Sequence, residues 1–116
     1  MGYKYSIEDE GTSFVFRLYP NNSNTQAIGV SGQVFKNSAE CRRGIEVFKT
    51  IIKETDIMEM IDYGKVDDTK WLPKLKKNDS VLIRRELPLT LGKKECIDWA
   101  LEIKNNIDAE IRMCEV

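Results

Sequence analysis

Three cysteines, Cys41, Cys96 and Cys114, are the most reactive side chains in a chain of 116 residues that contains no histidine. Thiolates serve as metal ligands or nucleophiles, but zinc sites pair them at short spacings or complete the set with imidazole. These three are widely separated and match no zinc pattern. Without histidine there is no Cys-His or Ser-His nucleophile pair, nor the usual general base for neutral pH. Reduced thiols are expected, with Cys41 and Cys96 as small apolar core side chains. The acidic runs Glu8-Asp9-Glu10 and Asp67-Asp68 lack the ligand spacing of a calcium loop and read as solvated charge in turns. No catalytic residue, cofactor site or metal site is expected, and the chain does not read as an enzyme.

Hydrophobic residues make up 41% and charged residues 32% of the sequence, with 3 prolines and 7 glycines. That is the balance of a folded domain, long enough to bury a core without disulfide or metal staples. No stretch holds the roughly 18 unbroken apolar residues of a membrane span, and the first residues lack a signal-like apolar run. A cytoplasmic protein without a membrane partner is expected. Gly2 and Ser6 fit the loose myristoylation pattern, yet the residues that follow Gly2 read as a strand. The net charge of −1 is unevenly spread: residues 1–64 sum to −2, 65–94 to +5 and 95–116 to −4. The central basic segment could meet a polyanion, although lysine-rich sheet edges beside acidic helix faces give the same pattern and are favoured.

Any such surface must be positioned by the elements around it. YKYSI (Tyr3 to Ile7) and SFVFRLY (Ser13 to Tyr19) alternate about an EDEG turn and predict a hairpin. In its second strand Phe14, Phe16 and Leu18 share the face expected to be core, while Val15, Arg17 and Tyr19 share the other. The polar PNNSNT (Pro20 to Thr25) leads to a third strand, QAIGVSG (Gln26 to Gly32). A helix follows, capped by Asn37 with Glu40 at the capping-box position, and carrying Cys41, Ile45, Phe48 and Ile52 on one face. Gly44 within it costs about 1 kcal/mol relative to alanine, which predicts a close approach of the helix to the sheet. DIMEMIDY (Asp56 to Tyr63) is the expected fourth strand.

The second half repeats the order in shortened form. WLPKL (Trp71 to Leu75) stands as a strand that Pro73 marks as an edge or a bulge. SVLIRREL (Ser80 to Leu87) is the next, followed by a helix from Gly92 with Cys96, Ala100, Ile103 and Ile107 inward, then AEIRMCEV (Ala109 to Val116). At one constant offset, Glu40, Cys41, Lys49, Ile52 and Met58 recur as Glu95, Cys96, Lys104, Ile107 and Met113. Identity, helix phase and element order together predict one domain, residues 1–116, made of two repeats at about 1–63 and 64–116.

The first half resembles the YegP-like domain. That family's pattern has a Phe-Arg-Leu strand, an Asn-bearing turn, an Ile-x-x-Ser strand, an aromatic, a Ser cap and a helix with Asn-Gly-Ile-x-x-Val-Lys. Phe16 to Leu18, Asn22, Ile28 with Ser31, Phe35, Ser38 and RGIEVFK (Arg43 to Lys49) take those places, with Arg43 for the asparagine and Phe48 for the valine. NNSNT replaces the usual Asn-Gly turn, and the second half keeps almost none of the motif, with Trp99 where Gly44 would recur. The resemblance implies an α+β fold: two tandem β-β-β-α-β units sharing a single antiparallel sheet, both helices packed on one face, and terminal strands crossing to the other unit. It implies no catalytic residues. Two units in one chain cover each other's exposed edges, so a monomer is expected.

The leading functional expectation is a small interaction module that binds another protein through the open sheet face or an edge strand. Val15, Arg17, Tyr19, Lys74, Lys76 and Arg84 are the expected contact residues, a mixed aromatic and basic set. High Lys, Ile and Asn usage fits an AT-rich genome, and an inhibitor encoded by a mobile element or phage is consistent with it. The alternatives are a nucleic-acid-binding domain using residues 65–94, and a small-ligand carrier or enzyme without a recognisable motif.

Overall fold

The computed structural model describes residues 2–20, 26–90 and 92–113. The opening hairpin forms as β1 (Lys4–Asp9) and β2 (Phe14–Tyr19), antiparallel from Lys4↔Tyr19 to Asp9↔Phe14. Glu8 and Asp9 belong to the strand, so the turn is shorter than EDEG suggested. The Asp9 carboxylate accepts from the Gly11 amide at 2.8 Å, and Gly11 supplies the positive φ. β3 is only Gly29–Ser31, joined to β2 through Arg17↔Val30 and Leu18↔Gly29. Most of the expected PNNSNT loop lies outside the described residues.

Helix α1 (Ser38–Glu54) starts as its sequence predicts. The Asn37 side chain accepts from the Glu40 amide at 2.8 Å, and Cys41, Ile45, Phe48 and Ile52 are all buried. The expected strand at Asp56 to Tyr63 is mostly not one. Asp56 accepts from the Met58 amide at 3.0 Å and winds Ile57–Glu59 into a 3-10 turn, leaving Ile61–Asp62 as β4. β5 (Lys65–Asp67) and β6 (Lys70–Trp71) make a separate two-stranded sheet. WLPKL is split, because Pro73 has no N–H to donate and separates β6 from β7 (Lys74–Lys77). β8 (Ser80–Arg84), α2 (Lys93–Asn105) and β9 (Glu110–Met113) complete the order. Gly92 caps α2 without a side chain, and Glu95 accepts from the Thr90 amide at 3.2 Å.

Among the described residues the main sheet has seven strands, in the order β4-β7-β8-β3-β2-β1-β9. All its pairings are antiparallel but one: β9 runs parallel to β1 from Lys4↔Glu110 to Ile7↔Met113, which corrects the expectation of a wholly antiparallel sheet. A parallel neighbour requires a crossover, and the chain reaches that edge only after α2.

Both helices bury their apolar sides in one cluster with Tyr5, Phe16, Leu18, Leu75 and Ile83, so both cover the same sheet face. Phe14, expected beside Phe16 in that core, is half-buried. Rings of Tyr5, Phe16 and Phe48 meet edge-on or tilted, with centroids 5.4 to 6.3 Å apart, and the Tyr5 hydroxyl donates to the Ile107 carbonyl at 2.7 Å. The close approach anticipated at Gly44 is made by Phe35. A β-carbon at Gly44 would stand 2.4 Å from the Phe35 ring, while the Phe35 backbone exchanges two 2.8 Å hydrogen bonds with Phe14. In α2, Trp99 is buried and its indole Nε1 donates to the Ile28 carbonyl at 2.6 Å.

Candidate functional site

The strand registers set one residue from each of the seven strands in a row across the face opposite the helices: Arg112, Ser6, Arg17, Val30, Arg84, Lys74 and Asp62. Three of the six residues expected to bind a partner stand in this row. Val15 and Tyr19 share its face, as alternation requires, but are only 7% and 6% exposed, and Val30 is 1% exposed. They present little contact surface because long polar side chains lie across them. The Tyr19 hydroxyl donates to Glu8 at 2.7 Å, and the Lys4 ammonium sits 5.7 Å from its ring centroid. Burial first, then the bond to Glu8, holds the Tyr19 hydroxyl well above the usual phenol range.

Arg17 is the hub of that cover. Its Nε and Nη2 donate to the two Glu86 oxygens at 2.9 and 2.8 Å, and Nη1 donates to Glu8 at 2.6 Å and Glu10 at 3.2 Å. The fork to Glu86 has the bidentate geometry of a strong guanidinium–carboxylate pair. It holds the Glu86 carboxyl below its ordinary range and pushes the guanidinium higher still. Glu8 and Glu10 are therefore engaged rather than free turn charge. Glu8 could have been found from the hairpin register, which places it opposite Val15 and diagonal to Arg17. Glu86, 69 residues from Arg17, had no local signal. Asp67 does cap a turn, accepting from the Thr69 amide and hydroxyl.

Lys74 and Arg84 are direct cross-strand partners on the uncovered part of the face. Among the described residues neither has a carboxylate within ion-pair distance, although Asp62 is the other cross-strand neighbour of Lys74 and Glu86 feels the Arg84 charge. Arg84 is exposed and Lys74 half-buried. Lys76 is 3.7 Å from Asp62 and so is partly neutralised.

On the helix side, a cleft of about 460 Å³ opens between α1 and the β7–β8 hairpin, with walls that include Phe16, Phe35, Phe48, Ile51 and Leu82. Nothing in the sequence placed it, because its walls come from distant segments.

Cys41 and Cys96 are free and buried, in agreement with their expected role as core side chains; Cys114 lies outside the described residues. Burial lifts the Cys41 thiol to about 11, and burial followed by the Glu95 charge raises that of Cys96. In native buffer, mass-spectrometric mapping after a thiol reagent should leave both unmodified, with labelling appearing once urea is added. Labelling of either in folded protein would show an accessible thiolate instead. No group of three or more metal-ligating side chains occurs among the described residues, and no helix among them is long and apolar enough to cross a membrane.

No protein-family profile and no curated protein matches the chain. Solved structures do. A UPF0339 protein from Shewanella oneidensis is 15% identical with a TM-score of 0.71, over 97% of this chain and 92% of that one. The yegP protein of E. coli, described as of unknown function, is 13% identical with a TM-score of 0.68, over 97% and 90%. At these identities the likeness establishes a YegP-like α+β fold.

Proposed function

We propose that this chain is a non-enzymatic, monomeric, cytoplasmic interaction module that docks an acidic protein surface at Lys74 and Arg84. The observation that carries this reading is their direct opposition across β7 and β8. Like charges facing each other oppose strand pairing, and a partner's carboxylate would offset that cost. Glu8, Glu10 and Glu86 around Arg17 keep the rest of the face mixed in charge, which suits a protein better than nucleic acid. Affinity capture with a Lys74→Glu/Arg84→Glu variant should lose the partner, and basic substitutions in the partner's acidic patch should restore it. An unchanged partner list sinks this face. A steeply salt-dependent mobility shift with nucleic acid would move the function to the basic segment instead.

We further propose that the fold is built from two like units. Arg17↔Val30 and Leu18↔Gly29 have counterparts in Lys74↔Arg84 and Leu75↔Ile83, and the isolated bridge Phe14↔Phe35 has one in Trp71↔Leu89. Phe14, Arg17 and Leu18 are carried to Trp71, Lys74 and Leu75 by one constant shift along the chain, and Gly29, Val30 and Phe35 to Ile83, Arg84 and Leu89 by another. Tyr5↔Leu18 likewise corresponds to Ile61↔Leu75; in this reading β4 opens the second unit instead of closing the first, which moves the boundary expected near residue 63 to before Ile61. Val30 and Arg84, counterparts in this scheme, face each other across the β3–β8 seam, as a local two-fold axis demands.

A further inference from the structure

The two halves differ at one corner. In α2 the indole of Trp99 fills it, bonded to the Ile28 carbonyl. The register that aligns Cys96 with Cys41 sets Trp99 on Gly44, and the one that aligns Val30 with Arg84 sets Ile28 on Leu82. Gly44 and Leu82 both line the cleft beside α1. The place of a second indole beside Gly44 is taken by the Phe35 ring, and the cleft is the space left open next to it. That correspondence rests on the two-unit reading, whereas the cleft itself does not.

We propose that this cleft binds a small aromatic carboxylate, a flat ring of indole size with a short acidic arm. Its volume of about 460 Å³ is that of a ligand site. The partly exposed Phe35, Ile51 and Leu82 and the exposed Val47 present an apolar wall suited to a flat ring, and the buried Phe16 backs Phe35 nearly parallel to it, at an interplanar angle of 26°. Among the described residues the lining has one cation, Lys77, and no carboxylate. The Lys77 ammonium donates to the neutral Thr55 hydroxyl at 3.1 Å, and no carboxylate among the described residues lies within ion-pair distance of it. Its charge is therefore available to an anion. Asn78 and Ser80 place polar groups on the same rim, where Asn78 and Asp79 take positive φ in the tight β7–β8 turn. Phe35 holds its place because Gly44 has no side chain to displace it.

Titration of the labelled protein with indole-3-acetate, followed by amide NMR, tests the assignment. Saturable shifts should centre on Phe35, Gly44 and Leu82. Lys77→Ala should weaken binding about tenfold or more, the loss of one hydrogen bond to a charged group. Val47→Trp, at an exposed lining position that leaves the core intact, should block the cleft. Absence of shifts at millimolar acid, shifts centred elsewhere, or equal binding of neutral N-acetyltryptophanamide would each overturn the proposal. The Lys74→Glu/Arg84→Glu variant should bind the acid normally, since that pair lies on the opposite sheet face, so failure of one reading leaves the other standing.

Discussion

Replacing Arg17 with methionine should cost about 2 kcal/mol at neutral pH, between the small worth of exposed ion pairs and the larger cost of stranding a buried charge. The substitution keeps much of the side chain's cover over Val15 but removes the cation that Glu8, Glu10 and Glu86 share, leaving Glu86 only the weaker influence of Arg84. The pH dependence should differ in sign as well as size. In the wild type, the Glu86 carboxyl is depressed in the folded state by Arg17. Its contribution is complete above the ordinary value of 4.5 and is lost as pH falls through the lower folded value. In the variant the Arg17 hydrogen bonds that chiefly lower Glu86 are gone and the carboxylates that shared them repel, so protonating Glu86 relieves the folded state. The variant should gain stability relative to wild type between about pH 7 and about pH 5. Urea unfolding at both pH values measures this. A variant as stable as wild type at neutral pH would show that the carboxylate cluster contributes nothing to the fold.

Trp99→Ala should be the most damaging single change, at about 4 kcal/mol, a large part of the total stability of a domain this size. It empties a buried site of a bicyclic ring and leaves the Ile28 carbonyl without the indole donor. Trp99→Phe, which refills most of the volume but not the hydrogen bond, should cost about half as much. Denaturant midpoints give both values, and the half-buried Trp71 remains as a fluorescent reporter in each variant. A cost below about 1 kcal/mol for alanine would mean that the corner collapses readily around the missing ring.

What the sequence made legible was local. The Asn37 cap and the inward face of α1 follow from interactions about one helical turn apart, and both are present. The alternation in β2 assigned Val15, Arg17 and Tyr19 to the correct face. It could not foresee their burial, because Glu86 arrives from 69 residues away to pair with Arg17. DIMEMIDY failed as a strand for a physical reason: a short apolar run does not distinguish strand from turn, and the Asp56 carboxylate offers the backbone a competing hydrogen bond. Gly44 announced a close approach but not its partner, Phe35. The cleft was invisible because it depends on where the β7–β8 hairpin falls beside α1, a tertiary fact with no short-range pattern.

The parallel pairing of β9 with β1 bears on the order in which the protein can be assembled during translation. Lys4 meets Glu110, so the outer edge of β1 has no partner in this sheet until the ribosome has passed Glu110. At ordinary elongation rates that interval is on the order of ten seconds. Through it the nascent protein carries an unpaired edge next to its aromatic core, which is the state most open to strand exchange with a neighbouring copy and to capture by a chaperone.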